Sequence, residues 1–142
     1  MIGKYLIPAI IFGLFISLHA CNDSADTQSD SQDENSVILT EENNDTTVEI
    51  DIEEEIVIEL QSNPSTGYHW EHSNTDGTFI YQDGESIFIE DEECAGAEGC
   101  GGIERFTFVA SRTGTGAIAL AYRRTSEESP IDQFSVDVIV TN

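Results

Sequence analysis

The chain has 142 residues, with 28 Asp and Glu against 5 Lys and Arg, a formal charge of -23 and three cysteines. That length fits one ordinary domain, and apolar residues at 39% are enough for a core once the N-terminus is set aside. The acidity excludes a nucleic-acid binder, since no basic stripe exists to displace counterions from phosphates, and it disfavours electrostatic adhesion to an anionic membrane.

Residues 1–20 carry no acid, and Lys4 is the only lysine of the chain. From Tyr5 to Leu18 the chain is uncharged and mostly apolar, broken by Pro8 and Gly13. The run is shorter than the roughly 20 residues that cross a bilayer as a helix. A basic start, a short apolar run and a small residue before a cut site describe a secretory signal. It ends Leu18-His19-Ala20-Cys21, which resembles a bacterial lipoprotein signal despite the unusual His19. The expectation is cleavage after Ala20, lipid on Cys21, and a place in the bacterial cell envelope on its periplasmic or cell-surface side. Ordinary cleavage that leaves a free thiol at Cys21 is the alternative. Residues 21–36 then form an acidic tether, NDSADTQSDSQDENS after the cysteine, too poor in apolar side chains to offset its ordering entropy.

From Val37 the dominant period is two. Val48, Ile50 and Ile52 alternate with acids, and Ile56, Ile58 and Leu60 make the next apolar face. Phe79 with Tyr81, then Ile87 with Ile89, mark two short strands around the turn-prone Asp83-Gly84. Phe106, Phe108 and Ala110 follow, then Ile118, Leu120 and Tyr122, and last Phe134, Val136, Val138 and Val140. Polar and glycine clusters separate the runs. The spacing predicts an all-β domain over 37–142, an immunoglobulin-like antiparallel β-sandwich of seven to eight strands, with a small barrel as the other possibility. Glu53 to Glu55 and the EDEE run at Glu90 to Glu93 read as solvated turns and strand ends that discourage edge pairing.

Three loops carry the chemistry. In the first, Asn63-Pro64-Ser65-Thr66-Gly67-Tyr68 leads into Trp70. Proline fixes one backbone angle and glycine permits a positive one, giving a stiff turn that presents Ser65 and Thr66. Tyr68 and Trp70 share strand parity, so both can anchor the turn inward. The second, Gly99-Cys100-Gly101-Gly102, lets backbone lie close to another surface; its plain alternative is a floppy connector. The third, Tyr122 to Pro130, holds Arg123 and Arg124.

Together these resemble the chagasin family, immunoglobulin-like inhibitors of papain-like cysteine peptidases. The family pattern is N-P-T-T-G-[YF]-x-W, then G-x-G-G, then Y-x-R-P-W. The first matches at Asn63, Pro64, Thr66, Gly67, Tyr68 and Trp70, with Ser65 for a threonine, and the second at Gly99, Gly101 and Gly102. The third matches at Tyr122 and Arg124 only, with Thr125 and Ser126 where Pro and Trp are usual. The resemblance implies a monomeric wedge that enters a protease cleft without covalent bonding. Thr66 would lie over the catalytic cysteine and histidine, Gly99 to Gly102 with Cys100 would pair with the cleft wall, and Arg124 would brace the far side. It implies no enzyme activity and no cofactor.

Cys94 and Cys100, six apart in an exported chain, are expected to form a disulfide that stiffens the second loop. His69 and His72 lie three apart on a strand and so face opposite sides, which argues against a metal site. Two other classes stay open: a surface-anchored binding or adhesion module that shares only the sandwich, and an enzyme of unrecognised site. The acidity fits either a high-salt habitat or a basic target.

Overall fold

Alternating apolar side chains from Val48 to Val140 build two sheets that bury one face each against the other. The computed structural model describes residues 35–75, 78–94 and 99–142, with backbone only at Asn74, Thr75 and Cys94. The strands are β1 Ser36–Leu39, β2 Thr46–Asp51, β3 Glu55–Ser62, β4 His69–Thr75, β5 Ile80–Gln82, β6 Ile87–Glu90, β7 Gly102–Ala110, β8 Gly114–Arg123 and β9 Asp132–Thr141. One sheet runs β1-β3-β7-β5, with β6 also on β7, and the other runs β2-β9-β8-β4. Ile56, Ile58, Leu60, Phe106 and Phe108 from the first sheet meet Trp70, Ile118, Leu120, Phe134, Val136 and Val138 from the second, all buried.

The sandwich is as expected, with three refinements. There are nine strands among the described residues, because Val37-Ile38-Leu39 forms β1 without alternating: Leu39 is buried and Ile38 is 47% exposed. The two N-terminal edge strands are parallel to their neighbours, β1 to β3 and β2 to β9. A parallel pair needs a long connection: β2 in the opposite sheet supplies it between β1 and β3, and the six strands β3 to β8 supply it between β2 and β9. Finally, Phe79 and Ile80 are buried while Tyr81 is 52% exposed. Phe79 precedes β5, so strand parity does not apply to it.

The ordered domain also starts earlier than residue 37. The carbonyl of Asn35 accepts the Glu55 N–H at 3.0 Å, and its side-chain amide donates to the Glu53 carbonyl at 2.9 Å. Backbone pairing of this kind leaves no mark in hydropathy. Residues 31–142 form one compact unit with its own core, as a span that folds as a separate chain requires. The expected signal peptide, Cys21 and most of the expected tether lie outside the described residues.

One polar side chain breaks the inward row of β7. Glu104 has the same parity as Phe106 and Phe108 and is only 7% exposed. Its carboxylate accepts hydrogen bonds from Ser62 Oγ at 3.1 Å, the Trp70 N–H at 3.1 Å and Ser86 Oγ at 2.9 Å. A buried carboxylate is tolerable only when its lone pairs are occupied in this way. Ser62 and Trp70 bound the first loop, so Glu104 fixes the separation of its two ends and joins β3 of one sheet to β4 of the other.

Candidate functional site

The first loop is a tight turn closed by its own polar groups. Pro64–Thr66 make a single 3-10 turn with proline in its first position, and Gly67 ends it in the left-handed region at φ 82. A side chain at that φ is strained, which is why glycine sits there. The Asn63 carbonyl accepts from the Thr66 N–H at 3.1 Å and from Thr66 Oγ1 at 2.6 Å, while Gly67 N–H donates to the Pro64 carbonyl at 2.9 Å. Ser65 Oγ donates to Asn63 Oδ1 at 2.5 Å, and Thr66 Oγ1 accepts from the Tyr68 N–H at 3.4 Å. Both hydroxyls are therefore engaged inside the turn. Pro64, Ser65, Thr66 and Gly67 are all exposed.

Asn63 also joins this turn to its neighbours. Its side-chain amide donates to the Gly99 carbonyl at 3.1 Å, and its backbone N–H donates to the Tyr122 hydroxyl at 2.9 Å. On the other side, Arg124 Nε donates to the Thr66 carbonyl at 3.2 Å, and its guanidinium carbon lies 4.3 Å from the centre of the Tyr68 ring. Tyr68 is 5.6 Å from Tyr122, which is 5.1 Å from Trp70, so an aromatic stack leads from the surface cation to the core. The three sequence-predicted loops thus stand side by side at one end of the sandwich, with the first in the middle. Tyr68 is half-buried and Trp70 buried, as their shared parity implies.

The glycines of the second loop divide into two groups. Gly99 is exposed at φ 87, and a Cβ there would reach Ser65 Oγ at 4.0 Å. Gly101 and Gly102 serve the fold. A Cβ on Gly101 would stand 3.3 Å from the Ser62 carbonyl oxygen. One on Gly102 would collide with the Ile89 carbonyl and come within 2.9 Å of Glu90 Cα. Gly102 is buried and pairs with Ser62 on one side and Glu90 on the other. The lack of a side chain at Gly102 is thus what lets β7 sit between β3 and β6. Cys100 is half-buried, and the side chain of Cys94 lies outside the described residues.

The third loop contains a residue that motif reading misses. Glu127 accepts from Arg124 Nη1 at 3.4 Å through one oxygen and from the Tyr68 hydroxyl at 3.3 Å through the other. It closes a ring of contacts, Thr66 carbonyl to Arg124 to Glu127 to Tyr68, one residue after the Ser126 that stands where the family pattern has tryptophan. Its only sequence signal is a charge three residues after an arginine. Arg123 takes a different role. It meets Glu71 Oε2 through Nε at 2.7 Å, and His69 Nε2 meets Glu71 Oε1 at 2.9 Å. Arg123, and to a lesser degree His69, hold the Glu71 carboxyl below the usual carboxylate range. His72 instead sets its ring edge-on to Phe108 at 5.4 Å, so the two histidines diverge.

A model of the chagasin family of peptidase inhibitors, I42, matches residues 49–138. Amoebiasin-1 of Entamoeba histolytica is 37% identical over 86 residues, covering 61% of this chain and 80% of that protein. The crystal structure of the cysteine protease inhibitor EhICP2 from Entamoeba histolytica is similar with a TM-score of 0.66 and 26% identity, over 75% of this chain and 96% of that one. The solution structure of Amebosin gives a TM-score of 0.62 and 32% identity, over 73% of this chain and 96% of that one. The family model spans the first two motifs, the aromatic stack and Arg124, and the solved relatives share the sandwich that carries them; the chain belongs to the chagasin family of peptidase inhibitors and is an inhibitor rather than an enzyme.

Proposed function

We propose that the three-loop end fills the active-site cleft of a papain-like cysteine peptidase reversibly, with no bond made or broken. The observation that carries this reading is the bonding of Asn63 to both neighbouring loops beneath an exposed Pro64–Gly67 tip. A peptidase acts on an extended peptide bond held against its nucleophile. The Thr66 turn offers a contracted backbone whose carbonyls at Asn63, Pro64 and Thr66 are already accepting hydrogen bonds. The tip can therefore sit over the catalytic cysteine and histidine without being cut. Rigid loops also lower the entropy cost of association. Gly99 and Cys100 face the cleft wall beside it, and Arg124 holds the turn from the opposite side while bordering the contact.

The disulfide Cys94–Cys100 belongs to this reading. It is supported by the spacing of the pair and by the bonded state of the Cys100 sulfur. Its use is to stiffen the segment that ends at Gly99. Export and a lipid on Cys21 complete the proposal, supported by the residue pattern from Lys4 to Cys21. The inhibitor would then act at the bacterial envelope, held off the membrane by a tether whose acids repel the anionic surface.

Three measurements check these statements. The 31–142 domain should inhibit papain and a cathepsin L-like enzyme at or below micromolar concentration, and Thr66→Arg should abolish inhibition with thermal stability nearly unchanged; a wild-type domain inactive against both sinks the reading. Closing so short a ring is worth roughly 2 kcal/mol to folding in the loop-entropy model. The pair Cys94→Ser and Cys100→Ser should nonetheless weaken inhibition more than it weakens folding, since it loosens the contact segment directly, and equal inhibition refutes the stiffening role. Metabolic labelling of the full chain with a radioactive fatty acid in a bacterial host should mark it, and Cys21→Ser should lose the label; a labelled Cys21→Ser chain contradicts the anchor.

A further inference from the structure

The strand leading into the second loop is an exposed apolar edge. β6 pairs with β7 alone among the described residues, and Ile87, Phe88 and Ile89 are 61%, 40% and 38% exposed. Proteins blunt such edges with lysine, proline or a bulge, and positions 87–89 carry no charge and no proline. Cross-strand partners share a face, so Ile87 with Arg105 and Ile89 with Ile103 stand on the outer side of the sheet. Arg105 is bonded to Glu59 at 2.8 Å, so the patch has no unpaired cation at its rim. Beyond it the chain runs directly into the exposed acids Glu90, Asp91, Glu92 and Glu93.

We infer that this edge is a second contact surface for the target peptidase, taking a segment with apolar side chains flanked by lysine or arginine. The inference rests on the inhibitor reading above and extends it. Two observations select this occupant. The edge is continuous with the three-loop end: Glu90 pairs with Gly102, the Asp91 N–H donates to the Gly101 carbonyl at 3.2 Å, and Gly99 is bonded to Asn63. The charge then decides between a target and a second copy of this chain. Two copies of a protein of net charge -23 repel each other, whereas a basic rim beside the cleft would be attracted by the EDEE run. An aromatic anchor is missing from the third loop, and this patch supplies apolar contact area on the opposite flank.

The test compares the wild-type 31–142 domain, Ile87→Ser combined with Ile89→Ser, Glu92→Gln combined with Glu93→Gln, and Thr66→Arg, against papain and a cathepsin L-like enzyme. Because both isoleucines are exposed, their replacement should leave the melting temperature in place. Their loss should raise the inhibition constant about tenfold, in the range of a contact that matters. The glutamine pair should slow association and flatten its dependence on salt. If the isoleucine variant inhibits both enzymes as well as wild type while Thr66→Arg fails, the inhibitor reading stands and the second surface is overturned. If wild type inhibits neither enzyme, both fall together. Sedimentation of the wild type as a dimer that the isoleucine variant dissociates, with inhibition unchanged, assigns the edge to a second copy and also overturns the inference.

Discussion

Every polar group of Asn63 is bonded to a different part of the site. Its N–H reaches the Tyr122 hydroxyl, its carbonyl closes the Thr66 turn, Oδ1 accepts from Ser65 and Nδ2 donates to Gly99. No other residue type has this set of donors and acceptors on so short a stem: aspartate lacks the amide donor that holds Gly99, and glutamine places the amide one methylene further out. Among the described residues no hydrogen bond joins the second loop to the third. They are held in register because both are bonded to the first.

What surrounds Asn63 is a series of modest terms acting in the same direction. Glu104 sets the distance between Ser62 and Trp70 from below, where burial makes its hydrogen bonds matter most. The aromatic stack Tyr68, Tyr122 and Trp70 carries the turn down to the core. Above it, the Arg124–Glu127 pair is well exposed, at 44% and 38%, and is worth about 0–1 kcal/mol. The ring contact of Arg124 with Tyr68 adds about 0.5–1 kcal/mol. These values are small beside the roughly 2 kcal/mol that a buried anchoring aromatic contributes at an interface. The Glu127 ring is therefore a device for holding Thr66 in place and does not replace the contact area of the absent tryptophan.

Period-two hydropathy was sufficient to read the sandwich, because strands buried on one face must alternate. It failed where another constraint governs. β1 is held by backbone pairing along an edge, so its three consecutive apolar residues show no period. Glu104 occupies an inward position as a charged residue, and only the convergence of Ser62, Ser86 and the Trp70 N–H from three places in the chain accounts for it. The loop motifs were legible because tight turns demand particular residue types: proline to open, a left-handed glycine at 67 to close. Motif reading does not show that the glycine at 102 also answers to Ile89 and Glu90 of its own sheet. It fell short at Glu127, whose partners Arg124 and Tyr68 come from two loops that only the fold brings together.

The central claim is a rigid tip that covers a thiol enzyme's nucleophile by shape. It is tested most directly by treating papain with iodoacetamide in the presence of the 31–142 domain, followed by intact mass measurement of both proteins. The account predicts an enzyme thiol left unmodified, an inhibitor of unchanged mass and no covalent adduct between the two. Alkylation of the enzyme at the rate seen without the domain, under conditions where the two remain bound, would show that the contact leaves the nucleophile open and would contradict it.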